Sequence, residues 1–248
     1  MPRKLGQHFL RNAGILRRIA EAAAPEPVDT VVEIGPGKGA LTGYLLERAR
    51  RVVAVEVDRE LVEGLRHRFS GVENLEILQA DVLKTDLARY MPAVIAGNLP
   101  YYITSPILER VLQLTPRFPR AVLLVQKEVA DRLTARPGRR TYGYLTVAAA
   151  VFAEVRVLCR VSPGSFSPPP KVESAVVILE PHPGPLVAEP ARFLEFVSTC
   201  FRGKRKTLKN NLRSLYPRIS ELPEASLRAE QLSLQQFEKL YGALVRTV

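Results

Sequence analysis

The chain has few of the side chains from which metal sites and disulfide frameworks are built. Its 248 residues include two cysteines and three histidines, and no tryptophan is present. Cys159 and Cys200 are far apart in the sequence, and neither forms a recognisable ligand spacing with a histidine. We therefore expect no structural metal ion and no disulfide.

Long apolar runs are also missing. The longest, such as residues 145–153 and 175–179, are too short to cross a bilayer. The N-terminal residues lack the apolar segment of a secretory signal. With 46% hydrophobic residues, the chain can still bury one substantial core and add a small second domain. These features predict a soluble globular protein of the cytoplasm that has no membrane association.

Acidic residues are outnumbered, since 36 Lys and Arg against 25 Asp and Glu give a formal net charge of +11. This excess favours a nucleic acid partner, although a soluble basic protein without one can show the same balance. The segment from Arg192 to Arg218 has eight basic residues and one acidic residue. A charge run is often a solvated face, but these cations are the candidates for backbone binding: Arg202, Lys204, Arg205, Lys206, Lys209 and Arg213, with a second cluster of Arg132, Arg136, Arg139 and Arg140.

Strand patterns alternate with helix patterns through most of the chain, which predicts an α/β fold with a parallel sheet covered on both faces. The predicted strands are Thr30–Ile34, Arg51–Val57, Leu75–Leu78, Ala93–Ala96 and Ala121–Val125. The predicted helices are Asn12–Ala23 before the first strand, Ala40–Arg48, Arg59–Phe69 and Ser105–Leu114 between strands, and Tyr144–Val151 after them. Two further segments, Glu154–Val161 and Val172–Glu180, have the pattern of a closing antiparallel pair.

A break follows at Pro181–Pro185, where three prolines and a glycine can extend neither a helix nor a strand. We expect a domain boundary here, between residues 1–185 and residues 186–248. The second part is expected to be small and helical, with helices at Ala191–Phe201, Lys204–Leu215 and Leu234–Val245.

A glycine-rich turn follows the first predicted strand and precedes a helix. The spacing Gly35-x-Gly37-x-Gly39 allows a ligand to approach the backbone closely, but by itself it is a weak signal. Glu56 ends the next strand, where an acidic side chain can accept both ribose hydroxyls of an adenosine. Asp81 follows the strand after that and can accept a hydrogen bond from an adenine amino group. Strand-end acids also commonly cap helices, so neither carboxylate alone indicates a ligand.

The tetrapeptide Asn98-Leu99-Pro100-Tyr101 lies at the end of the predicted buried strand Ala93–Ala96. Its chemistry suits methyl transfer to a conjugated exocyclic amine, because the Asn98 side-chain oxygen and the Leu99 carbonyl can accept two N–H groups. Pro100 fixes its own φ and favours an extended Leu99. Tyr101 offers a ring face on which a base can stack.

Together, seven ordered segments resemble the KsgA family of small-subunit rRNA adenine N6,N6-dimethyltransferases, and the match spans nearly the whole chain. The segments are Leu5–Leu10, Val32–Thr42, Asn98–Tyr101, Gln126–Ala130, Pro163–Val172, Phe201–Leu208 and Arg228–Glu230. The resemblance implies a class I methyltransferase fold, that is, a Rossmann-like, mostly parallel seven-stranded sheet with a small C-terminal helical domain. It also implies S-adenosylmethionine as methyl donor and two adjacent adenines near the 3′ end of small-subunit rRNA as acceptors. Binding to immature small subunits would couple the reaction to ribosome biogenesis.

The resemblance assigns roles to individual residues. The donor-site residues are His8, Leu10, Gly35, Gly37, Glu56, Asp81 and Asn98. Many relatives have Asn at the position of His8. The catalytic set is Asn98, Leu99, Pro100 and Tyr101, and Phe166 resembles the second aromatic that encloses the target base. Loop packing is the alternative role for Phe166.

Three other functions compete with this interpretation. The related large-subunit rRNA adenine methyltransferases of macrolide resistance use the same chemistry, but the segment Pro163–Lys171 and the C-terminal motif argue against them. DNA adenine methyltransferases commonly have Pro at the position of Leu99. A pure assembly factor would bind small subunits without needing Asn98 and Tyr101. We expect a monomer, because no self-complementary apolar stripe is present.

Overall fold

The computed structural model describes residues 8–245. Of the first motif, Leu5, Gly6 and Gln7 therefore lie outside the described residues. The strands are β1 (Phe9–Leu10), β2 (Val28–Ile34), β3 (Ala49–Glu56), β4 (Leu75–Gln79), β5 (Val94–Asn98), β6 (Ala121–Gln126), β7 (Ala153–Val161), β8 (Phe166–Ser167) and β9 (Ser174–Pro181). The α-helices are α1 (Ala13–Ala23), α2 (Ala40–Leu46), α3 (Arg59–Arg68), α4 (Thr104–Leu112), α5 (Lys127–Leu133), α6 (Tyr144–Phe152), α7 (Pro190–Phe201), α8 (Leu208–Leu212) and α9 (Leu234–Val245).

Seven strands form one mixed sheet in the order β4-β3-β2-β5-β6-β9-β7. The first five are parallel, while β9 runs antiparallel to both β6 and β7. This confirms the predicted class I methyltransferase sheet and its closing antiparallel pair. Because the parallel strands share one direction, the ends of β2, β3 and β5 meet at a single edge, where open α/β sheets bind ligands.

Helices cover both faces of the sheet. On one face, α1 and α2 bury Leu16, Ile19 and Leu45 against the valines of the central strands. Each such side chain contributes about 1.5–3 kcal/mol of transfer free energy. Asn12 begins α1, because its side-chain oxygen accepts a hydrogen bond from Ile15 N at 3.1 Å. This helix therefore leads the chain from β1 down to the start of β2.

The opposite face packs against α4, α5 and α6, and the same apolar core continues into α7, α8 and α9. Phe193, Phe196 and Phe237 of these last helices are fully buried in it. The helices after residue 185 thus share a core with the sheet. The division between residues 1–185 and 186–248 stays a prediction.

Three local predictions were wrong or incomplete. The expected helix Lys204–Leu215 is reduced to α8, because Thr207 caps a short helix and the preceding residues form a separate loop. The short helix α5, directly after β6, was not predicted. Neither was the two-stranded sheet in which β1 pairs antiparallel with β8. Within the described part of the chain, none of the helices has the length and apolar composition that a membrane span requires.

Candidate active site

A cleft that is open to solvent lies at the ends of β2, β3 and β5. Residues from the N-terminal segment, the glycine turn and the tetrapeptide line it together. They include His8, Phe9, Leu10, Glu33, Gly35, Gly37, Lys38, Glu56, Val57, Asn98, Leu99, Pro100, Tyr101 and Tyr102. Of the predicted donor-site residues, the structure brings all but Asp81 to this lining.

The glycine turn brings main chain close to the cleft. Gly35 and Gly37 have φ values of 68° and 57°, a region that side chains rarely adopt. A Cβ on Gly37 would lie 3.0 Å from the ring of Phe9, so the turn and the N-terminal segment pack directly against each other. Lys38 is exposed and also lines the cleft, and its Nζ lies 4.9 Å from the centre of the Phe9 ring.

Glu56 is buried below this turn and accepts three backbone hydrogen bonds. Gly37 N donates to one carboxylate oxygen at 3.1 Å, and Val57 N and Asp58 N donate to the other at 2.9 and 3.1 Å. Burial raises the pKa of Glu56, and these N–H groups oppose that rise. The carboxylate is therefore fixed in orientation, with acceptor capacity remaining for ribose hydroxyls.

A second carboxyl group, Glu33, lies nearby and is 1% exposed. The Thr42 hydroxyl donates to it at 2.6 Å. Burial raises the pKa of Glu33 to about 7, and the charge of Glu56 adds to this rise. Glu33 precedes the glycine turn and was not among the predicted site residues, yet it lines the cleft.

Asp81 follows β4 and organises its own turn. Its side-chain oxygen accepts a hydrogen bond from Leu83 N at 2.9 Å, and its carbonyl accepts from Lys84 N and Thr85 N at 2.9 Å. These contacts stabilise a turn and do not cap a helix, because the next helical segment begins only at Leu87 with Asp86 as its cap. The adenine-binding role of Asp81 stays a prediction.

Asn98 ends β5 with its side chain in a defined orientation. Its Nδ2 donates to the carbonyl oxygen of His8 at 3.0 Å. Its Oδ1 accepts no hydrogen bond from residues 8–245. The Asn98 amide is therefore fixed through its NH₂ group, and its oxygen is available to accept a hydrogen bond from a ligand.

The next three residues form a fixed turn. Leu99 packs its side chain in the core at 1% exposure, and its N–H donates to Leu124 O at 3.0 Å. Pro100 has φ −61°, and its carbonyl accepts from the Thr104 hydroxyl at 3.0 Å. The Tyr101 hydroxyl shares a hydrogen bond of 2.6 Å with Ser174 of β9. The ring of Tyr101 is therefore anchored at its far end.

The expected second aromatic does not lie in the cleft. Phe166 is 5% exposed and packs in the core beside Leu10, because β8 pairs with β1 and turns its ring inward. This packing matches the loop-packing alternative, and the role of Phe166 at the target base stays a prediction. The ring that the structure places next to Tyr101 is His8, with centroids 5.6 Å apart and planes tilted by 30°. His8 is itself held by a hydrogen bond from Nδ1 to the Pro168 carbonyl at 2.9 Å.

All ten predicted RNA-binding cations are exposed. The two clusters lie on elements that touch, because Gly138 N donates to Glu230 O at 2.7 Å and the rings of Tyr142 and Phe201 lie 6.3 Å apart. Of the ten, Arg132 forms an ion pair, with Glu128. The others form no ion pair within residues 8–245.

Sequence reasoning missed several residues that shape the cleft. Val57 and Tyr102 line it and are exposed. Gly97 lies so close to the neighbouring strand that a Cβ would be 2.4 Å from Ile34 O. Tyr102 could have been predicted, because it directly follows the tetrapeptide in the sequence. The crowding at Gly97 could not, because it depends on the pairing of two strands.

Comparisons with known proteins agree with this geometry. The family model described as ribosomal RNA adenine dimethylase matches residues 1–238. Ribosomal RNA small subunit methyltransferase A of Synechococcus elongatus is 45% identical over 245 positions, covering 93% of this chain and 87% of that protein. The protein of the same name from Thermotoga maritima is 43% identical and covers 97% and 84%.

Two solved structures are similar over nearly the full length. A dimethyladenosine transferase from Plasmodium falciparum has a TM-score of 0.80 at 30% identity and covers 94% of this chain and 96% of its own. The 23S rRNA methyltransferase ErmE has a TM-score of 0.72 at 32% identity, with coverage of 93% and 98%. The matches therefore include both the sheet and the helices that follow it.

Proposed function

The chain belongs to the ribosomal RNA adenine dimethylase family, and we propose that its cleft dimethylates N6 of two adjacent adenines near the 3′ end of small-subunit rRNA. It is an rRNA adenine N6,N6-dimethyltransferase that uses S-adenosylmethionine. The roles of its residues, the form of RNA that it recognises and its coupling to subunit assembly are the parts that we infer below.

The observation that carries the proposal is the pair of open acceptors at the end of β5. Asn98 Oδ1 and the Leu99 carbonyl accept no hydrogen bond from residues 8–245. Adenine N6 is a poor nucleophile, because its lone pair is delocalised into the ring. Two acceptors that draw its N–H groups out of the ring plane localise that lone pair, and they also stabilise the positive charge that develops on nitrogen.

The end of the cleft formed by the glycine turn and Glu56, called the donor end here, offers backbone and hydrogen-bonding groups that suit S-adenosylmethionine. Gly35 and Gly37 leave backbone exposed to a ligand, and Glu56 is fixed by three N–H groups with acceptor capacity to spare. When bound, the donor supplies an electrophilic sulfonium methyl group. His8, Leu10 and Asn98 would close the remaining sides of this end of the cleft.

The target base needs a platform and a path for its proton. Tyr101 offers a ring anchored through Ser174, and His8 covers part of the same region. Because the amine becomes acidic as the new N–C bond forms, its proton can pass to water without a strong base. Most of the rate enhancement then comes from alignment, which the fixed turn from Asn98 to Tyr101 supplies.

The RNA must also be held outside the cleft. An adenine inside a duplex cannot reach the site, so the base has to be unpaired or extruded. We infer that the two exposed basic clusters, at residues 132–140 and 202–213, bind the sugar–phosphate backbone around it. We also infer that the partner is the immature small subunit in the cytoplasm and that the enzyme acts as a monomer.

Methyl transfer to isolated subunits tests the proposal. Unmodified small subunits and intact large subunits are each incubated with labelled S-adenosylmethionine, and the products are mapped by mass. We expect dimethyladenine in small-subunit rRNA at four methyl groups per particle. Label confined to large subunits would instead support a second candidate function, methylation of large-subunit rRNA. The similarity to the 23S rRNA methyltransferase ErmE is the observation that favours this candidate.

The variant Asn98→Ala tests the residue assignment. It removes the acceptor Oδ1 and the bond to His8 O, and we expect the methylation rate to fall by about 10²–10³-fold, as for the loss of one oxyanion-type contact. Binding to small subunits should persist. Retained methylation would contradict the role of Asn98, and simultaneous loss of subunit binding would indicate a folding defect.

A further inference from the structure

Two exposed apolar side chains line the donor end of the cleft. Tyr102 is 56% exposed and Val57 is 51% exposed, and both lie in the cleft lining with Glu56. Large apolar groups in a concave site are typically covered when a ligand binds. The mechanism above, which uses Asn98 and Tyr101, assigns no role to either side chain.

The backbone of Tyr102 is held firmly although its ring has no partner. Ile103 N donates to Pro100 O at 3.2 Å, and the Thr104 hydroxyl donates to the same carbonyl at 3.0 Å. Thr104 is 2% exposed, so this bond lies inside the protein. The Tyr102 ring itself makes no hydrogen bond or ring contact within residues 8–245. A rigid turn thus presents an uncovered ring to the cleft.

Tyr101 and Tyr102 have different neighbours. Tyr101 reaches Ser174 and His8, on the side where the target base is expected. The pKa of Tyr102 is raised, first by burial and then by the negative charges of Glu56 and Asp81. Tyr102 also lines the cleft together with Glu56 and Val57, so its ring borders the part of the cleft in which the donor's adenosine is expected.

We propose that Tyr102 is a donor-binding residue whose ring covers the adenosine of S-adenosylmethionine opposite Val57. The adenine faces are apolar and its edges are polar, so a ring and a branched aliphatic side chain suit the faces while carboxylates suit the edges. This inference rests on the proposed function and adds a residue to its donor site.

Binding of S-adenosylhomocysteine, measured by calorimetry, tests the inference. Tyr102→Ala should weaken binding by about 10-fold, the lower range for loss of one stacking contact. Tyr102→Phe keeps the ring and should change the affinity by less than about 3-fold, if stacking rather than the hydroxyl provides the contact. Leu215→Ala is the matched control, since Leu215 is equally exposed at 56% and is not part of the cleft lining. It should not alter binding.

A fluorescent variant gives a second readout. The chain has no tryptophan, so Tyr102→Trp introduces a single reporter. Its emission should change on addition of S-adenosylhomocysteine, whereas that of Leu215→Trp should not. The melting temperature of each variant without ligand should equal that of the wild type, because exposed side chains contribute little to stability.

The outcomes separate this inference from the proposed function. If the wild type binds S-adenosylhomocysteine and Tyr102→Ala binds it equally well, the inference is wrong and the proposed function stands. An increased KM for RNA with unchanged S-adenosylhomocysteine affinity would place the ring on the acceptor side and also overturns the inference. If the wild type itself binds no S-adenosylhomocysteine, both fail.

Discussion

Glu33 shows what burial does to a single carboxyl group in this site. It lies beside Glu56, accepts the Thr42 hydroxyl and has a pKa of about 7. In the unfolded chain its pKa is near 4.5, so between these values the native state binds more protons than the unfolded state. The free energy of unfolding therefore falls as the pH rises from about 4.5 to 7, and it changes no further above that range.

Replacing Glu33 with Gln should remove this dependence. The neutral amide keeps an acceptor for Thr42 and cannot ionise, so the variant should gain about 2–3 kcal/mol relative to the wild type between pH 5 and pH 8. Urea unfolding at both pH values measures the difference. Glu73→Gln, at an exposed position, is the control and should show none. A difference between Glu33→Gln and wild type that is equal at both pH values would contradict the shifted pKa.

The close packing of β5 against β2 at Gly97 fixes the position of the neighbouring Asn98. A Cβ there would lie 2.4 Å from Ile34 O and 3.2 Å from Ile34 C, both backbone atoms of β2. Gly97→Ala must therefore push β5 away from β2 and displace Asn98, the next residue. We expect a loss of stability of about 1–3 kcal/mol and a fall in methylation of about 10²-fold, since a shift of 1 Å in a reacting group costs this much.

Gly64→Ala is the matched control for Gly97→Ala. Gly64 lies on the exposed side of α3, and a Cβ there would meet nothing within 4 Å. Because alanine is the better helix former, this variant should be more stable by about 0.5–1 kcal/mol. Unfolding curves and methylation rates of Gly97→Ala and Gly64→Ala measure these differences in stability and activity. Full activity in Gly97→Ala would show that β2 and β5 can separate without moving Asn98.

The residues that the sequence revealed are those whose chemistry is unusual for their position. Asn98, Glu56 and the glycines of the turn are recognisable from residue type and spacing, and the structure brings them to one cleft. Phe166 packs in the core outside the cleft lining, because the pairing of β8 with β1, which the sequence does not show, turns its ring inward; its role beside the target base stays a prediction. Gly97 has an ordinary strand context in the sequence.

At the scale of elements, the sequence predicted the parallel strands well because each is a short buried run between helical patterns. It did not predict β1 and β8, since two-residue strands carry no periodicity. It also extended α8 across residues 204–207. The basic side chains there favour a helix by propensity, but the contacts of Asn211 and Thr207 stabilise a loop instead.

Asn211 holds the loop that carries the densest positive charge. Its Nδ2 donates to Cys200 O at 2.8 Å and to Gly203 O at 3.2 Å, and its Oδ1 accepts from Gly203 N at 3.1 Å. Asn211→Ala should cost about 1–3 kcal/mol, because these backbone groups lose their partner. It should also weaken RNA binding without removing any charge, since the cations at 202–206 lose their fixed arrangement.

The adjacent Asn210→Ala is the control for Asn211→Ala. Asn210 is exposed, and only its backbone N–H takes part in the α8 cap. This variant should stay within about 0.5 kcal/mol of the wild type and bind RNA normally. Unfolding and filter-binding measurements distinguish the two. Equal RNA affinity in both variants would mean that the loop binds by charge alone.

At the scale of the whole molecule, the sequence indicated two separate basic clusters and a boundary at residue 185. The structure joins the clusters, because the loop with Gly138 is hydrogen-bonded to Glu230 and Tyr142 packs near Phe201. The apolar core likewise continues from the sheet into α7 and α9. Neither relation is visible in the sequence, since each depends on contacts between segments that are not adjacent in the chain. Together they support the proposal that both clusters bind one RNA.

If the two clusters bind one RNA, charge reversal in either should have the same kind of effect. Arg139→Glu with Arg140→Glu, and Lys204→Glu with Arg205→Glu, should each lower the affinity for small-subunit RNA by on the order of 10-fold at moderate salt. Each should also reduce the slope of log K against log salt by roughly 1.5, as expected for two lost phosphate contacts. S-adenosylhomocysteine binding should not change, because neither pair lines the cleft.

The control for these variants is a pair with the same change in net charge outside both clusters. Arg66 and Arg117 are exposed and form no ion pair within residues 8–245. Because Arg117 precedes β6, it lies at the sheet edge opposite the cleft, so Arg66→Glu with Arg117→Glu should leave the salt slope unchanged. If this control weakens RNA binding as much as the two test variants, the protein's overall charge attracts the RNA and the joined surface has no specific role. If only the 204–205 pair responds, the surface ends at α8 and the loop near Gly138 serves folding alone.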